Sequence, residues 1–396
     1  MNTKKAPELS VIAEPYPDGQ RISKAVFSFD GDPCDPSGIT VKGRTIIGSS
    51  VDGSTVTLEL SPSDEEAKVL PDLKRPGSGP GGTGGPGGPG GSGGPGSGPR
   101  PPMPDRKLRD IWLEAAVPGW DGPILPTKVV QPVIDDFTQG QFRGLLYNLY
   151  VPKDYDPSKK YPIVMFIPDA GVNGNDAKLA LSQGIGATIW ATPEEQAKHP
   201  CFVLALQIPK GIHLTNDEFV ASPELEDIKD LLDKTADEYS IDKNRIYTTG
   251  QSQGCMASCE LNIRYPDYFA ASMLVSGQWD PQKMGKLINN KFIIGLSEGG
   301  PKEFPGMNAI TEALRENGAD ITRVRLDYRD RWDVNNEKVR TAAMVGSNVI
   351  YISFLKDSVF PDDGVERSLG AHHNRGWELT YDMEAARDWL FAQSKE

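Results

Sequence analysis

The residues best suited to chemistry in this chain are a serine and two adjacent histidines. Ser252 sits in Gly250-Gln251-Ser252-Gln253-Gly254, a Gly-x-Ser-x-Gly pattern, and His372-His373 lie 120 residues later, with only His199 and His213 besides. A serine hydroxyl attacks carbonyl carbon only when a base removes its proton, so serine and histidine together point to acyl transfer through a covalent intermediate. The pattern also occurs in Gly90-Gly91-Ser92-Gly93-Gly94, inside a Gly/Pro-rich run. Context separates the two. Ser252 follows RIYTT, a short apolar strand, and precedes CMASCELNIRY, which has the spacing of a helix. Ser92 has neither.

In a strand–turn–serine–turn–helix arrangement the hydroxyl is held at the carboxyl edge of a sheet, where α/β folds place their ligands. Gly250 and Gly254 are then required because side chains there would collide with neighbouring backbone. The N–H of Gln253, at the start of the helix, becomes an oxyanion donor. The competing reading of Ser252 is an ordinary helix cap.

Acid and histidine follow the serine in this arrangement, so His372 or His373 is the base; the competing reading is a surface pair. The acid belongs after the strand KFIIGLS, in a loop that offers Glu298 and Glu303 and no aspartate. Asp357, Asp362 and Asp363 follow the next strand and form a second source. Any of these carboxylates could instead be simply solvated. Gln278 and Trp279 of SGQWD follow the strand after the serine's helix, beside the expected pocket, with a core tryptophan as the alternative.

Two domains are expected from 396 residues. Residues 1–125 read as a small all-β sandwich from AVFSFD, TVKGRTII and STVTLEL, separated by turn clusters. Pro76–Pro102 is so rich in glycine and proline that it reads as a tether or long loop, with strands resuming near Lys107–Ala116. Residues 126–396 alternate strands (YPIVMFI, CFVLALQ, RIYTT, FAASMLVSG, KFIIGLS, VIYISFL) with helices. In the helix that contains ELEDIKDLLDKTADEY, Leu225, Ile228, Leu231, Leu232 and Tyr239 share a face. That alternation implies an α/β fold, a mostly parallel sheet with helices on both faces.

The net charge of −13 disfavours a nucleic-acid partner. No apolar run reaches the roughly 20 residues of a membrane helix. Cys255 and Cys259 are one helical turn apart, but no further ligands lie nearby in sequence, so packing residues rather than a metal site are expected. No signal peptide is visible at the start, which leaves a cytoplasmic protein or a secreted one with its leader removed.

From about Lys128 onward the chain resembles the α/β-hydrolase carboxylesterases grouped with polyhydroxybutyrate-depolymerase-like and feruloyl-type esterases. The resemblance lies in YNLYVPKDYDPSKKYPIVMFIPDAG, PEEQAKHPCFVLALQ, IDKNRIYTTGQSQGCM, YPDYFAASMLVSGQWD and RDWLFAQ. Its nearest subgroup carries an N-terminal immunoglobulin-like domain. The resemblance implies hydrolysis of small-molecule or polymer-linked esters without cofactor or metal, Ser252 as nucleophile, and His373, by its distance from Trp377, as base. It also implies a second oxyanion donor from Pro168-Asp169-Ala170-Gly171, through Ala170 or Asp169. It places Gly300 where relatives carry the catalytic aspartate. Three outcomes follow: Glu298 substitutes, a later residue such as Asp357 does, or the site is crippled. Outside the esterase reading, a binding protein with a degenerate site and a serine peptidase of related fold are the alternatives.

Overall fold

The computed structural model describes residues 5–72 and 106–395; the Gly/Pro-rich run and its Ser92 motif lie outside them. The described residues form two compact units, residues 5–72, 107–137 and 182–184 in the first and 138–181 and 185–395 in the second.

The first unit is all β, as its alternating patterns require. Its strands are β1 (Glu8–Tyr16), β2 (Gly19–Ser28), β3 (Thr40–Val41), β4 (Ile46–Asp52), β5 (Thr55–Leu60), β6 (Ala115–Ala116) and β7 (Pro126–Val130). Five form a sheet in the order β4-β5-β2-β1-β7, and β3 pairs with β6. Leu9, Val11 and Ala13 on β1, Phe27 on β2, and Val56 and Leu58 on β5 turn one side inward, onto Ile39, Val41, Leu113 and Ala115. β7 pairs in parallel with β1. The first unit therefore runs on to Phe137, past the expected division at 125/126, because residues 126–130 complete its sheet.

The second unit is built on nine strands: β8 (Thr138–Phe142), β9 (Leu145–Tyr150), β10 (Tyr161–Ile167), β11 (Phe202–Gln207), β12 (Ile241–Gln251), β13 (Ala271–Val275), β14 (Phe292–Ser297), β15 (Ile321–Leu326) and β16 (Val349–Phe354). Their order is β15-β16-β14-β13-β12-β10-β11-β9-β8. All neighbours run parallel except β9, which is antiparallel to both β11 and β8. β10, β11, β13, β14 and β16 are buried at every residue, which requires cover on both faces and explains their unbroken apolar runs.

Leu225, Ile228, Leu231 and Leu232 of helix Glu224–Glu238 pack with Ile163, Met165, Phe202 and Leu204 in one apolar cluster. Tyr239, expected on the same face, is the half-buried residue that ends the helix. Met307, Ile310 and Leu314 of helix Glu303–Glu316 join a second cluster with Leu274, Phe292, Ile294 and Tyr351. Cys255 and Cys259 are fully buried in this cluster, and burial pushes the Cys259 thiol well up. They act as packing residues. Among the described residues no helix is long and apolar enough to cross a membrane.

Candidate active site

β12 ends at Gln251 and helix Gln253–Arg264 begins two residues later, earlier than the helix expected from Cys255. The single residue between them is Ser252, at φ 53° and ψ −116°. An L-residue held there stores on the order of 1–3 kcal/mol of backbone strain, which the surrounding structure must impose. The two glycines show how. A Cβ on Gly254 would lie 1.9 Å from the Ile167 carbonyl oxygen, and one on Gly250 would lie 2.5 Å from the Gly254 carbonyl carbon and 2.6 Å from the same Ile167 oxygen. The turn therefore closes only when both flanking positions lack side chains. The Ser252 hydroxyl makes no capping bond to its helix, so the helix-cap reading does not describe it.

The two histidines fall within helix Leu369–Asp382 rather than in a loop before it. His373 Nδ1 lies 2.7 Å from Oε1 of Glu303, with the histidine side chain 16% exposed and the glutamate 2%. Glu303 is the first residue of helix Glu303–Glu316, where the helix dipole favours a negative charge, and its Oε2 accepts the Lys302 N–H at 3.3 Å. Burial works to lower the His373 pKa; the hydrogen bond to Glu303 and its charge, with Asp169 adding, outweigh it and raise the value above the usual imidazole range. With Nδ1–H donated to the carboxylate, Nε2 keeps the lone pair a general base needs. The Trp377 ring stands edge-on to His373 at 5.5 Å.

Glu298 does not pair with His373. At the end of β14 its carboxylate turns toward β15 and β16, binding Arg325 at 2.7 and 2.8 Å and the Ser353 hydroxyl at 2.9 Å. The Arg325 hydrogen bonds hold its pKa below the usual carboxylate range. His372 is buried against Phe360, ring centroids 5.0 Å apart. Its pKa is lowered, by burial first and by Lys356, against the opposing charges of Asp357 and Glu303.

The SEGGP stretch explains the substitution. A Cβ at Gly300 would lie 2.1 Å from Glu303 Oε1, and one at Gly299 would lie 2.2 Å from His372 Nδ1. One glycine makes room for the carboxylate and the other for the buried imidazole. An acid thus comes from the expected loop, but from five residues beyond Glu298. The trace in the sequence is the glycine three residues before Glu303.

Residues 170–172 form a 3-10 turn capped by Asp169, whose Oδ1 accepts the Gly171 N–H at 2.8 Å. Ala170 and Gln253 each open a helical segment, so their N–H groups have no acceptor within it and are available to an anion. Gln278 donates to Asp217 at 3.2 Å, and Lys302 donates to the same carboxylate at 2.8 Å. Trp279 is fully buried; its indole N–H donates to Glu260 at 3.0 Å and its ring packs on Phe219 at 5.6 Å. It packs in the core with Met284 and Leu287.

Sheet topology gathers these parts. Ser252 follows β12; residues 168–171 follow its neighbour β10; Gln278 follows β13; and Glu303 follows β14. The histidine helix packs on β13 and β14, close enough that a Cβ on Gly376 would meet Ser276 Oγ at 2.5 Å and Ser297 N at 2.8 Å. Serine, imidazole–carboxylate pair and the first N–H groups of two helical segments share one edge of the sheet.

No protein family matches the chain, and no curated protein does. Among solved structures, the chain is similar to a thermostable esterase at 23% identity, covering 98% of this chain and 99% of that one with a TM-score of 0.73. A feruloyl esterase module from Clostridium thermocellum gives 14% identity over 63% of this chain and 88% of that one, with a TM-score of 0.40. The sheet order and the near-complete overlay on the first of these agree: the second unit, preceded by its β-rich partner, has the α/β-hydrolase fold.

Proposed function

We propose that this chain is a serine hydrolase acting on carboxylic esters. Ser252 attacks the ester carbonyl while His373 takes the hydroxyl proton at Nε2. The tetrahedral oxyanion is received by the N–H groups of Gln253 and Ala170. Collapse expels the alcohol, protonated by His373, and leaves an acyl group on Ser252. Water activated by the same imidazole then releases the acid. Glu303 holds the Nδ1–H tautomer and stabilises the imidazolium. The β-rich first unit, read as immunoglobulin-like, and a small-molecule or polymer ester as substrate belong to the same proposal.

The observation that carries this reading is Glu303 Oε1 at 2.7 Å from His373 Nδ1. The reason to suspect a degenerate site was Gly300, and an acid contributed by Glu303 removes it. Wild type, Ser252→Ala and His373→Ala are to be assayed on p-nitrophenyl acetate, with a fluorophosphonate probe reporting on the serine. Both variants should lose at least about 10⁴ in kcat, and the probe should label Ser252 alone. Full turnover by either variant would refute the reading.

A further inference from the structure

The two candidate oxyanion donors belong to separate elements, Ala170 after β10 and Gln253 after β12. We infer that Asn173 is a positioning residue that sets the spacing of these donors by bracing the Ala170 turn against the Gln253 side chain. The inference rests on the esterase reading above.

Asn173 directly follows the 3-10 turn that Ala170 begins, and its N–H closes that turn on the Ala170 carbonyl at 3.3 Å. Its side-chain amide meets that of Gln253 reciprocally. Gln253 Nε2 donates to Asn173 Oδ1 at 3.2 Å, and Asn173 Nδ2 reaches Gln253 Oε1 at 3.5 Å. Each amide is oriented by backbone. The Leu214 N–H donates to Gln253 Oε1 at 3.2 Å, and Asn173 Nδ2 donates to the Ile212 carbonyl at 2.7 Å. An N–H can approach only an oxygen and a carbonyl only a nitrogen, so neither amide can flip without setting like against like. The residue whose main chain offers one donor thus fixes, through its side chain, the turn that offers the other. The segment Ile212–Leu214 locks the pair.

A displacement of about 1 Å in a catalytic group can reduce rate by on the order of 10²-fold, so a loosened brace should appear in kcat. Asn173→Ala, Asn173→Asp and Gln253→Met, the last keeping the backbone N–H, are compared with wild type on p-nitrophenyl acetate. Inhibition by phenylboronic acid is measured alongside, since Ser252 Oγ adds to its boron and the tetrahedral adduct presents an oxygen to the donors. Each single variant should lose roughly 10- to 100-fold in kcat with KM within about 3-fold, and boronate affinity should fall in parallel. Asn173→Asp should do no better than Asn173→Ala, because its second oxygen faces the Ile212 carbonyl. The double variant Asn173→Ala/Gln253→Met should be no slower than the slower single one, since both break one brace. The acid limb of the pH profile should stay in place, because the His373–Glu303 pair is untouched. An active wild type with unchanged kcat in the Asn173 variants, or fully multiplicative losses in the double variant, overturns the brace alone. A wild type with no Ser252-dependent turnover overturns the esterase reading and the brace with it.

Discussion

The Glu303 carboxylate, hydrogen-bonded to His373, occupies the space that a side chain on residue 300 would need. A side chain at 300 and the Glu303 carboxylate thus compete for one place beside the imidazole. A glutamate is longer than an aspartate by one methylene and starts from the first turn of a helix, so it can reach back over a glycine.

Exchange of the two glutamates separates the roles. Glu303→Gln removes the charge that stabilises the imidazolium and should lower kcat by roughly 10²- to 10⁴-fold with KM little changed. Glu298→Gln breaks a pair with an exposed arginine and should leave kcat within about 3-fold and stability within about 1 kcal/mol. Steady-state kinetics on one ester decide it; equal losses in the two variants would contradict the assignment.

Gly300→Ala tests the shared space. The new methyl group displaces the Glu303 carboxylate rather than rigid backbone, so the protein should fold while kcat drops about 10-fold or more. Gly300→Asp combined with Glu303→Ala supplies an acid from the other position and should be faster than Glu303→Ala alone. A melting curve run beside the kinetics shows whether folding accounts for the change.

The pH profile follows from the raised His373 pKa. The base works only when neutral, so kcat/KM should fall as pH drops through a value above the usual imidazole pKa. Glu303→Gln should move this acid limb downward, since burial then acts without the opposing carboxylate charge. The stability linkage has the opposite sense: the stabilisation from protonated His373 is complete below the unfolded-state pKa and disappears as pH rises through the folded one. Denaturation midpoints measured either side of that window should show the decline, which Glu303→Gln should abolish.

Gly254→Ala should harm folding before chemistry. Its Cβ would stand 1.9 Å from a backbone oxygen of β10, which cannot swing aside as a side chain can. A loss of about 1–3 kcal/mol or more is expected, read as a lowered denaturation midpoint together with loss of activity.

The strands beneath the site were legible in the sequence because a parallel sheet buried on both faces demands unbroken apolar runs, as in YPIVMFI and KFIIGLS. Ser252 was legible because its turn forbids side chains on either flank, which leaves a trace in residue types. The edge strand Ile321–Leu326 and the helix Trp332–Ala343 were not read. The strand carries Arg323 and Arg325 among its apolar residues, and the helix buries only Asn335, Asn336, Val339 and Ala342, so neither shows a strong apolar face. For Trp279 the sequence leaves pocket and core open, because proximity along the chain says nothing of which way an indole turns; its contacts with Glu260 and Phe219 are tertiary.

The choice of acid shows the same division. Sequence narrowed it to the segments after two neighbouring strands, β14 with Glu298 and Glu303 and β16 with Asp357, Asp362 and Asp363, since those strands are fixed by hydrophobic pattern. Choosing between Glu298 and Glu303 required knowing that Arg325 and Ser353 claim the first and that Gly300 clears the path of the second. Chain composition and periodicity determine where elements form and which edge bears Ser252. Which carboxylate faces which imidazole depends on side-chain direction and on competing partners far apart in the chain, and only the tertiary structure decided that.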